Sequence, residues 1–247
     1  MEKYKQEIQK YVKYIGESNF EYSVNISLMN KYIYVETPKV GCSTIKNVLQ
    51  RMELNYPDLV RDDFEDIHDR HYSPLISPSQ TCGFDRLLHD PNFFVFSFAR
   101  NPYTRLLSAY LDKIKNNRPP KKSILSAMGQ SPDNIEKQIP FNEFIDVICN
   151  LDIAYMNPHW RIQYYQTMQD SIDYDFVGRM ENFQEDYIYV FNKINKNYSD
   201  YYSPEIRHAT NSHKLLQEYF DDKLTEKVYE KYKIDFTHFG YDKNLPI

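Results

Sequence analysis

Residues 31–46 read KYIYVETPKVGCSTIK and contain the signal that decides the fold. The β-branched and aromatic side chains of 31–36 predict a strand, which the pair Thr37-Pro38 ends. The next segment, 43–54, begins with a Ser-Thr pair and places its apolar residues on one face, which predicts a helix. A strand followed by a short loop and a helix is the unit that builds α/β folds with a mainly parallel sheet.

The loop between this strand and this helix has the residue types of an anion site. Lys39 supplies a positive charge, and Ser43 and Thr44 supply hydroxyl groups at the start of the helix. A helix N-terminus adds backbone N–H groups and the positive end of the helix dipole, so the loop is a candidate phosphate cradle. Lys39 precedes Gly41, which is not the order of a Walker A loop. The alternative is an ordinary strand-to-helix turn whose serine caps the helix.

A second strand-to-helix turn repeats this arrangement further along the chain. Residues 93–98, FFVFSF, are apolar over the length of a strand, as expected for a buried parallel strand. Arg100 follows this strand, and a helix is predicted over 103–115 with Ser108 on it. An arginine at the carboxyl end of a strand suits a bidentate contact to phosphate oxygens. The alternative is that Arg100 pairs with a carboxylate and that Ser108 packs on the flank of the helix.

The rest of the chain completes a prediction of one α/β domain over 1–247. Ligands of such sheets bind beyond the carboxyl ends of the strands. Residues 1–30 are predicted as an N-terminal helical extension, 55–91 as irregular, and 116–139 as a mobile loop because of its prolines and polar residues. The remaining predicted elements are helices over 2–15, 141–150, 182–195 and 212–232 and a strand over 174–178.

Composition excludes several classes of protein. The chain has 247 residues, with 30 Lys and Arg against 35 Asp and Glu, and its net charge of −5 argues against a non-specific nucleic-acid binder. Its apolar runs are far shorter than the ~20 residues of a spanning helix, and its charged N-terminus does not resemble a secretory signal. The three cysteines, Cys42, Cys82 and Cys149, form neither a disulfide framework nor a metal knuckle. We therefore expect a cytoplasmic protein with no membrane span.

The motifs in the two turns resemble those of sulfotransferases. PKVGCSTIK at 38–46 resembles their 5′-phosphosulfate-binding loop, and RNPYTRLLSAY at 100–110 resembles their 3′-phosphate-binding segment. HWRIQ at 159–163, DFVGRMENFQED at 175–186 and the tail at 228–241 are similar to further stretches of the same family. The chain is therefore similar, over most of its length, to the carbohydrate sulfotransferases, which include the Golgi chondroitin and heparan 2-O enzymes and shorter bacterial relatives.

The resemblance implies a P-loop-like sulfotransferase fold and the sulfuryl donor 3′-phosphoadenosine 5′-phosphosulfate (PAPS), used without a metal. The residues implied to bind the donor are Lys39, Gly41, Cys42, Ser43, Thr44, Arg100 and Ser108. Of these, Lys39 would also act in catalysis, by holding the bridging oxygen and the 5′-phosphate that leaves. Arg100 and Ser108 would bind the 3′-phosphate. The implied acceptor is a hydroxyl group of a carbohydrate or glycoconjugate.

The general base is expected to be a histidine between the two motifs. Family enzymes of the heparan 2-O type use a histidine upstream of the 3′-phosphate strand, and DIHDRHYSPL at 66–75 holds two. A histidine titrates near neutrality, which suits proton abstraction. His68 is the first candidate and His71 the second, and the alternative is that both are ordinary loop residues. His159, beside Trp160, is a further candidate that more simply shapes a pocket or binds the acceptor.

Two other functions stay open at this point. A kinase of the P-loop type is disfavoured because the sequence has no Walker A motif and no clear acidic Mg²⁺ ligand after a strand. A nucleotide- or carbohydrate-binding module that lost catalysis is disfavoured because both anion-binding turns and candidate bases are present. The Golgi enzymes carry a membrane anchor and lumenal disulfides, which this sequence does not show. We therefore expect an intracellular enzyme of the bacterial type.

Overall fold

The structure, a computed structural model, describes residues 2–59, 67–81, 83–195, 197–201 and 215–246. Backbone packing divides the chain into two compact units. The first unit comprises Met1–Ala99 and Thr167–Arg207, and the second comprises Arg100–Gln166 and His208–Ile247. The single domain expected over 1–247 therefore stays a prediction, and the two units are described separately below.

A four-stranded sheet forms the centre of the first unit. Its strands, in their order across the sheet, are β1 (Val24–Ser27), β2 (Tyr32–Val35), β3 (Phe94–Ala99) and β4 (Phe176–Arg179). β1 pairs with β2 antiparallel, whereas the pairs β2–β3 and β3–β4 are parallel. The prediction of an α/β fold with a mainly parallel sheet flanked by helices is confirmed.

Helices precede, separate and follow these strands. The described α-helices are α1 (Glu2–Val12), α2 (Glu17–Ser23), α3 (Cys42–Glu53), α4 (Phe84–Leu88), α5 (Pro102–Ala109), α6 (Lys121–Ala127), α7 (Phe141–Asn150), α8 (Gln163–Gln166), α9 (Phe183–Ile194), α10 (Leu216–Tyr219) and α11 (Asp222–Phe239). A π-helical segment, Tyr110–Ile114, continues α5, so both together match the helix predicted over 103–115. None of the helices in the described ranges is long and apolar enough to span a bilayer.

The two central strands of the sheet are buried on both faces. Tyr34 and Phe96 point to a core that they share with α3 and α9, while Ile33 and Val95 point to a core formed with α1, α2 and α4. Side chains alternate between the faces of a strand, so a strand covered on both sides reads as a continuous apolar run. This burial explains why β2 and β3 are recognisable in the sequence.

Strand β1 corrects the helical extension predicted over 1–30. Val24–Ser27 form an edge strand of the sheet rather than part of a helix. All four residues are buried, including the polar Asn25 and Ser27. Asn25 stays paired because its side-chain oxygen accepts a hydrogen bond from Arg70 at 2.7 Å. Val24–Ser27 alternate apolar and polar residues, which is the pattern of a strand, but only over four residues, the shortest run in which it is informative.

The second unit, as far as it is described, consists of helices and turns around an aromatic core. Trp160 is fully buried in this core, with its ring edge-on to Phe144 at 5.5 Å between centroids. Tyr103 of α5 lies 4.9 Å from Phe236 of α11, between ring centroids. Aromatic pairs in these geometries add to the stability from buried area alone.

Residues 116–139 contain a helix that their composition does not predict, whereas the expected mobility of this segment stays a prediction. They contain α6, Lys121–Ala127, and Ile124 and Leu125 of this helix are buried in the aromatic core. Pro119 and Pro120 directly precede the first helical residue. Proline fits at the start of a helix because its missing N–H has no intrahelical role there. The two prolines therefore begin a packed helix instead of marking a loop.

The C-terminal helix begins and ends later than the sequence predicts. The predicted span 212–232 is divided into α10 and α11, and its first residues, 212–214, lie outside the described part. α11 begins after Asp221, whose side chain accepts a hydrogen bond from the Leu224 N–H at 2.7 Å. It ends at Gly240, which has a left-handed φ of 67°. An aspartate N-cap and a left-handed glycine are strong boundary signals for a helix.

Candidate active site

The loop between β2 and α3 turns sharply through two residues with left-handed backbone. Lys39 has a φ of 71° and Gly41 a φ of 70°. α3 begins directly afterwards at Cys42, and the Ile45 N–H donates to the Gly41 carbonyl at 3.1 Å. The first turn of a helix directs backbone N–H groups outward along the helix axis and carries the positive end of the dipole. The backbone of this loop therefore has the polarity that favours an anion.

Gly41 is required by a close contact as well as by its backbone conformation. A Cβ atom at this position would lie 2.7 Å from Cε2 and 3.1 Å from Cζ of Phe183, the first residue of α9. The Phe183 ring is held in turn by Phe98 and Tyr187, with ring centroids 5.7 and 5.4 Å away. The loop therefore packs against α9 at a distance that only glycine allows.

We expect Gly41→Ala to lower the free energy of unfolding by about 2–4 kcal/mol, from left-handed strain and overpacking against Phe183 together. Urea denaturation measures this loss. Gly129→Ala is the matched control, because Gly129 has a φ of 69° but nothing within 4 Å of an added Cβ. An equal loss in both variants would show that the Phe183 contact is unimportant.

The side chain of His68 contacts the first turn of α3, directly after the loop. Its Nε2 atom is 2.9 Å from the hydroxyl of Ser43, and its Nδ1 atom is 3.4 Å from the hydroxyl of Tyr22. The preceding residue is fixed to α3, because the Gln50 side chain donates to the Ile67 carbonyl at 3.0 Å. The structure therefore brings the first candidate base to a hydroxyl of the candidate phosphate cradle.

His71, the second candidate base, has a different environment. It is exposed, and its backbone N–H donates to Asp69 Oδ1 at 2.8 Å. Arg70 holds this part of the chain to β1 through its bond to Asn25. Among the described contacts, His68 is the one of these two histidines that contacts the first turn of α3, through Ser43.

A buried ion pair joins the residue that follows β2 to α3. Lys46 Nζ is 2.9 Å from Glu36 Oε2, and both side chains are almost completely buried. The same ammonium group lies 5.1 Å from the centre of the Tyr22 ring, within the range of a cation–π contact. Burial raises the pKa of Tyr22, and the negative charge of Glu36 adds to this effect. The phenol that faces His68 therefore stays protonated at neutral pH.

Cys42 is a packed residue and not a reactive thiol. Burial raises the pKa of Cys42 to about 11, with the negative charge of Glu36 as the second cause. A thiol is nucleophilic only as a thiolate, so Cys42 is inert at neutral pH. Cys42 and Cys149 are free cysteines, whereas Cys82 lies outside the described residues.

The second unit begins with the other candidate anion-binding turn. Asn101 caps α5 by accepting a hydrogen bond from the Tyr103 N–H at 3.0 Å. Arg100 Nε donates to Thr104 Oγ1 at 3.0 Å, and the Thr104 hydroxyl donates to the Asn101 carbonyl at the same distance. Ser108 lies one turn further along α5 and is buried. Arg100 directly precedes the cap of α5 and Ser108 lies near the end of this helix, so both belong to the same helical segment.

His159 belongs to a turn that a buried arginine holds together. Arg105 of α5 donates to the carbonyls of Pro158 and Arg161, both at 2.8 Å. His159 Nδ1 is 2.7 Å from Asn157 Oδ1 within the same turn. These contacts fit a structural role for this turn. His159 belongs to the second unit, whereas His68 belongs to the first.

The predicted site residues fall into two groups. The first unit holds Lys39, Gly41, Cys42, Ser43, Thr44 and His68, and the second holds Arg100 and Ser108. Sequence reasoning did not identify Tyr22, Glu36 and Lys46 around the loop. A carboxylate directly after an apolar strand is a usable signal for Glu36. Tyr22 carries no local signal, because only the fold brings it to His68.

Comparison with known proteins places this chain in a family. A family model described as "Sulfotransferase family" matches residues 23–242, which is most of the chain. The chain belongs to the sulfotransferase family. The match begins one residue before β1 and therefore covers the edge strand that the sequence did not predict.

The chain is similar to several vertebrate carbohydrate sulfotransferases. Carbohydrate sulfotransferase 14 of Mus musculus is 30% identical over 164 residues, which cover 63% of this chain and 42% of the mouse protein. Carbohydrate sulfotransferase 14 of Danio rerio is 24% identical over 228 residues, covering 86% and 60%. Carbohydrate sulfotransferase 9 of Homo sapiens is 27% identical over 236 residues, covering 86% and 51%.

This chain spans about half the length of the curated relatives that it matches. No solved structure gives a significant match. The relatives named above are animal proteins, so the expectation of a bacterial type stays a prediction.

Proposed function

We propose that this chain transfers a sulfuryl group from PAPS to a hydroxyl group of a carbohydrate. The observation that carries the proposal is the contact of 2.9 Å between His68 and Ser43, which joins a candidate base to the candidate phosphate loop in a member of the sulfotransferase family. The carbohydrate acceptor is suggested by the names of the relatives, which are carbohydrate sulfotransferases.

In this proposal the β2–α3 loop binds the 5′ end of the donor. The backbone N–H groups from Gly41 to Thr44 and the hydroxyls of Ser43 and Thr44 hold the 5′-phosphate at the positive end of α3. Lys39 neutralises the negative charge that grows on the bridging oxygen. Charge stabilisation and positioning supply most of the catalysis in the related transfer of phosphoryl groups, and we extend that principle to sulfuryl transfer.

In the same proposal the Arg100 turn binds the 3′-phosphate of the donor. A guanidinium group matches two phosphate oxygens with two parallel N–H groups, and the hydroxyl of Ser108 adds a further donor. The 3′-phosphate distinguishes PAPS from ATP and AMP, so this turn gives the enzyme its choice of donor. Arg100 is already held at Nε by Thr104, which reduces the entropy lost on binding.

His68 is the proposed general base. The proton of the acceptor hydroxyl passes to His68 Nε2, and the acceptor oxygen forms a bond to sulfur. The bond between sulfur and the bridging oxygen breaks, and its electron pair goes to the 5′-phosphate, where Lys39 stabilises the charge. Nε2 accepts a proton when Nδ1 carries one, and the Tyr22 oxygen, 3.4 Å from Nδ1, can accept a hydrogen bond in that tautomer.

Two further expectations from the sequence stay predictions. The first is that the reaction needs no metal; within the described ranges, no three His, Cys, Asp or Glu side chains are grouped as a metal site requires. The second is a cytoplasmic location.

Calorimetric titration with adenosine 3′,5′-bisphosphate tests the donor site without a known acceptor. We expect binding in the micromolar range, weaker binding of AMP and ATP, and loss of the preference in Arg100→Ala, because that variant lacks the guanidinium group. Equal affinity for the bisphosphate and AMP would contradict the proposal. Tight binding of ATP that depends on Mg²⁺ would favour a kinase instead.

A further inference from the structure

The side chain of Gln163 holds the backbone of Arg100 from both sides. Its Oε1 atom accepts the Arg100 N–H at 2.9 Å, and its Nε2 atom donates to the Arg100 carbonyl at 2.8 Å. A primary amide has one acceptor and one donor group, so it can pair with the N–H and the carbonyl of one residue, as the backbone of a neighbouring β-strand does. Gln163 is completely buried, and the pair is therefore shielded from competing water.

Gln163 is itself anchored by Asp235 of α11. One carboxylate oxygen of Asp235 accepts the Gln163 backbone N–H at 2.9 Å and its side-chain Nε2 at 3.3 Å. The other oxygen accepts the Tyr164 N–H at 2.8 Å. Burial raises the pKa of Asp235 to about 6, so the group is a carboxylate above that pH and accepts all three bonds. Asp235 therefore fixes the main chain and the side chain of Gln163 together.

A second residue of α11 supports the same segment. Tyr232 lies three residues before Asp235, and its hydroxyl donates to the Trp160 carbonyl at 2.5 Å. The segment HWRIQ at 159–163 and the C-terminal helix are two parts of the sequence to which the proposed function assigns no role. Their contacts lead to one residue, Arg100.

We infer that Gln163, anchored by Asp235, is a positioning residue that aims Arg100 at the 3′-phosphate and so sets the preference for a 3′-phosphorylated nucleotide. The inference rests on the proposed function. The backbone of Arg100 is fixed by Gln163 and its Nε by Thr104, so the guanidinium group is oriented before the ligand arrives. Preorganisation of this kind increases affinity because less freedom is lost on binding.

Gln163→Met tests the inference, because methionine keeps the volume of the side chain and removes its hydrogen bonds. Gln166→Met is the matched control. Gln166 lies on the same short helix, is equally buried, and accepts a hydrogen bond from Arg161 Nη1 at 2.9 Å rather than from Arg100. Both variants lose buried hydrogen bonds, but only one of them touches Arg100.

Calorimetry gives the ratio of affinities for adenosine 3′,5′-bisphosphate and AMP, and urea denaturation gives the stability of each variant. We expect Gln163→Met to lower this ratio on the order of tenfold, about 1.4 kcal/mol, while Gln166→Met keeps the wild-type ratio. A ratio unchanged in Gln163→Met, or lowered equally in both variants, overturns the inference.

One further variant and the comparison with Arg100→Ala distinguish failure of the inference from failure of the proposed function. Gln163→Asn keeps an amide but is one methylene too short to reach both groups of Arg100, so it replaces Gln163→Met if that variant does not fold, with the same expected loss. If the wild type shows no preference for the bisphosphate, the proposed function fails and the inference fails with it. If Arg100→Ala loses the preference and both Gln163 variants keep it, the function stands and only the inference fails.

Discussion

Substitution of His68 by alanine is expected to lower the kcat for sulfuryl transfer by about 10²–10⁴-fold, the usual contribution of a general base. Affinity for adenosine 3′,5′-bisphosphate is expected to stay unchanged, since the proposed role of His68 is toward the acceptor proton. The expected loss of kcat rests on the position of the His68 Nε2 atom, 2.9 Å from a hydroxyl of the proposed phosphate loop. Turnover of labelled PAPS and calorimetry with the bisphosphate measure the two quantities.

His71→Ala is the control for this variant. His71 is three residues away and exposed. We expect it to keep the wild-type kcat. A large loss in His71→Ala with an active His68→Ala would reverse the assignment of the base. A loss of bisphosphate binding in His68→Ala would show that the histidine helps to hold the donor.

Replacement of Lys39 by glycine is expected to separate stability from function. Lys39 has a φ of 71°, a conformation that costs an L-residue about 1–2 kcal/mol and glycine almost nothing. Part of this gain is offset by the greater freedom of glycine in the unfolded chain. We therefore expect the free energy of unfolding to rise by up to about 1 kcal/mol, whereas turnover falls by about 10²–10³-fold or more, as when a charge-stabilising donor is removed.

Lys31→Gly is the matched control, since Lys31 is an exposed lysine with a φ of 53° in the turn between β1 and β2. It loses the same charge and relieves a similar conformation. We expect it to gain stability and to keep full turnover. Retained turnover in Lys39→Gly would refute the role of Lys39 in the leaving of the 5′-phosphate.

The sequence predicted the elements whose burial is simple. β2 and β3 are covered on both faces, so their runs of apolar residues indicate strands without help from the rest of the chain. β1 was missed because its alternation of apolar and polar residues covers only four positions, Val24–Ser27. α6 was missed because Pro119 and Pro120 begin a helix in this structure, although proline more often marks a turn.

The residues of the candidate site also divide into those with a local sequence signal and those without one. Lys39, Ser43 and Arg100 are predictable because a strand, a short loop and a helix place them locally. Tyr22 and Asp235 are distant in sequence from the residues that they support, so no spacing connects them. Sequence therefore predicts the residues proposed to touch the ligand better than those that hold them in place.

The protein has a single tryptophan, and its position makes it a natural spectroscopic probe. Trp160 is fully buried in the core of the second unit, while tyrosines are present in both units. Its emission therefore reports the melting of one unit, whereas far-ultraviolet circular dichroism reports the helices of both. Coincident transitions would show that the two units melt cooperatively, as one domain. Separate transitions would show that one anion-binding turn persists after the other is lost.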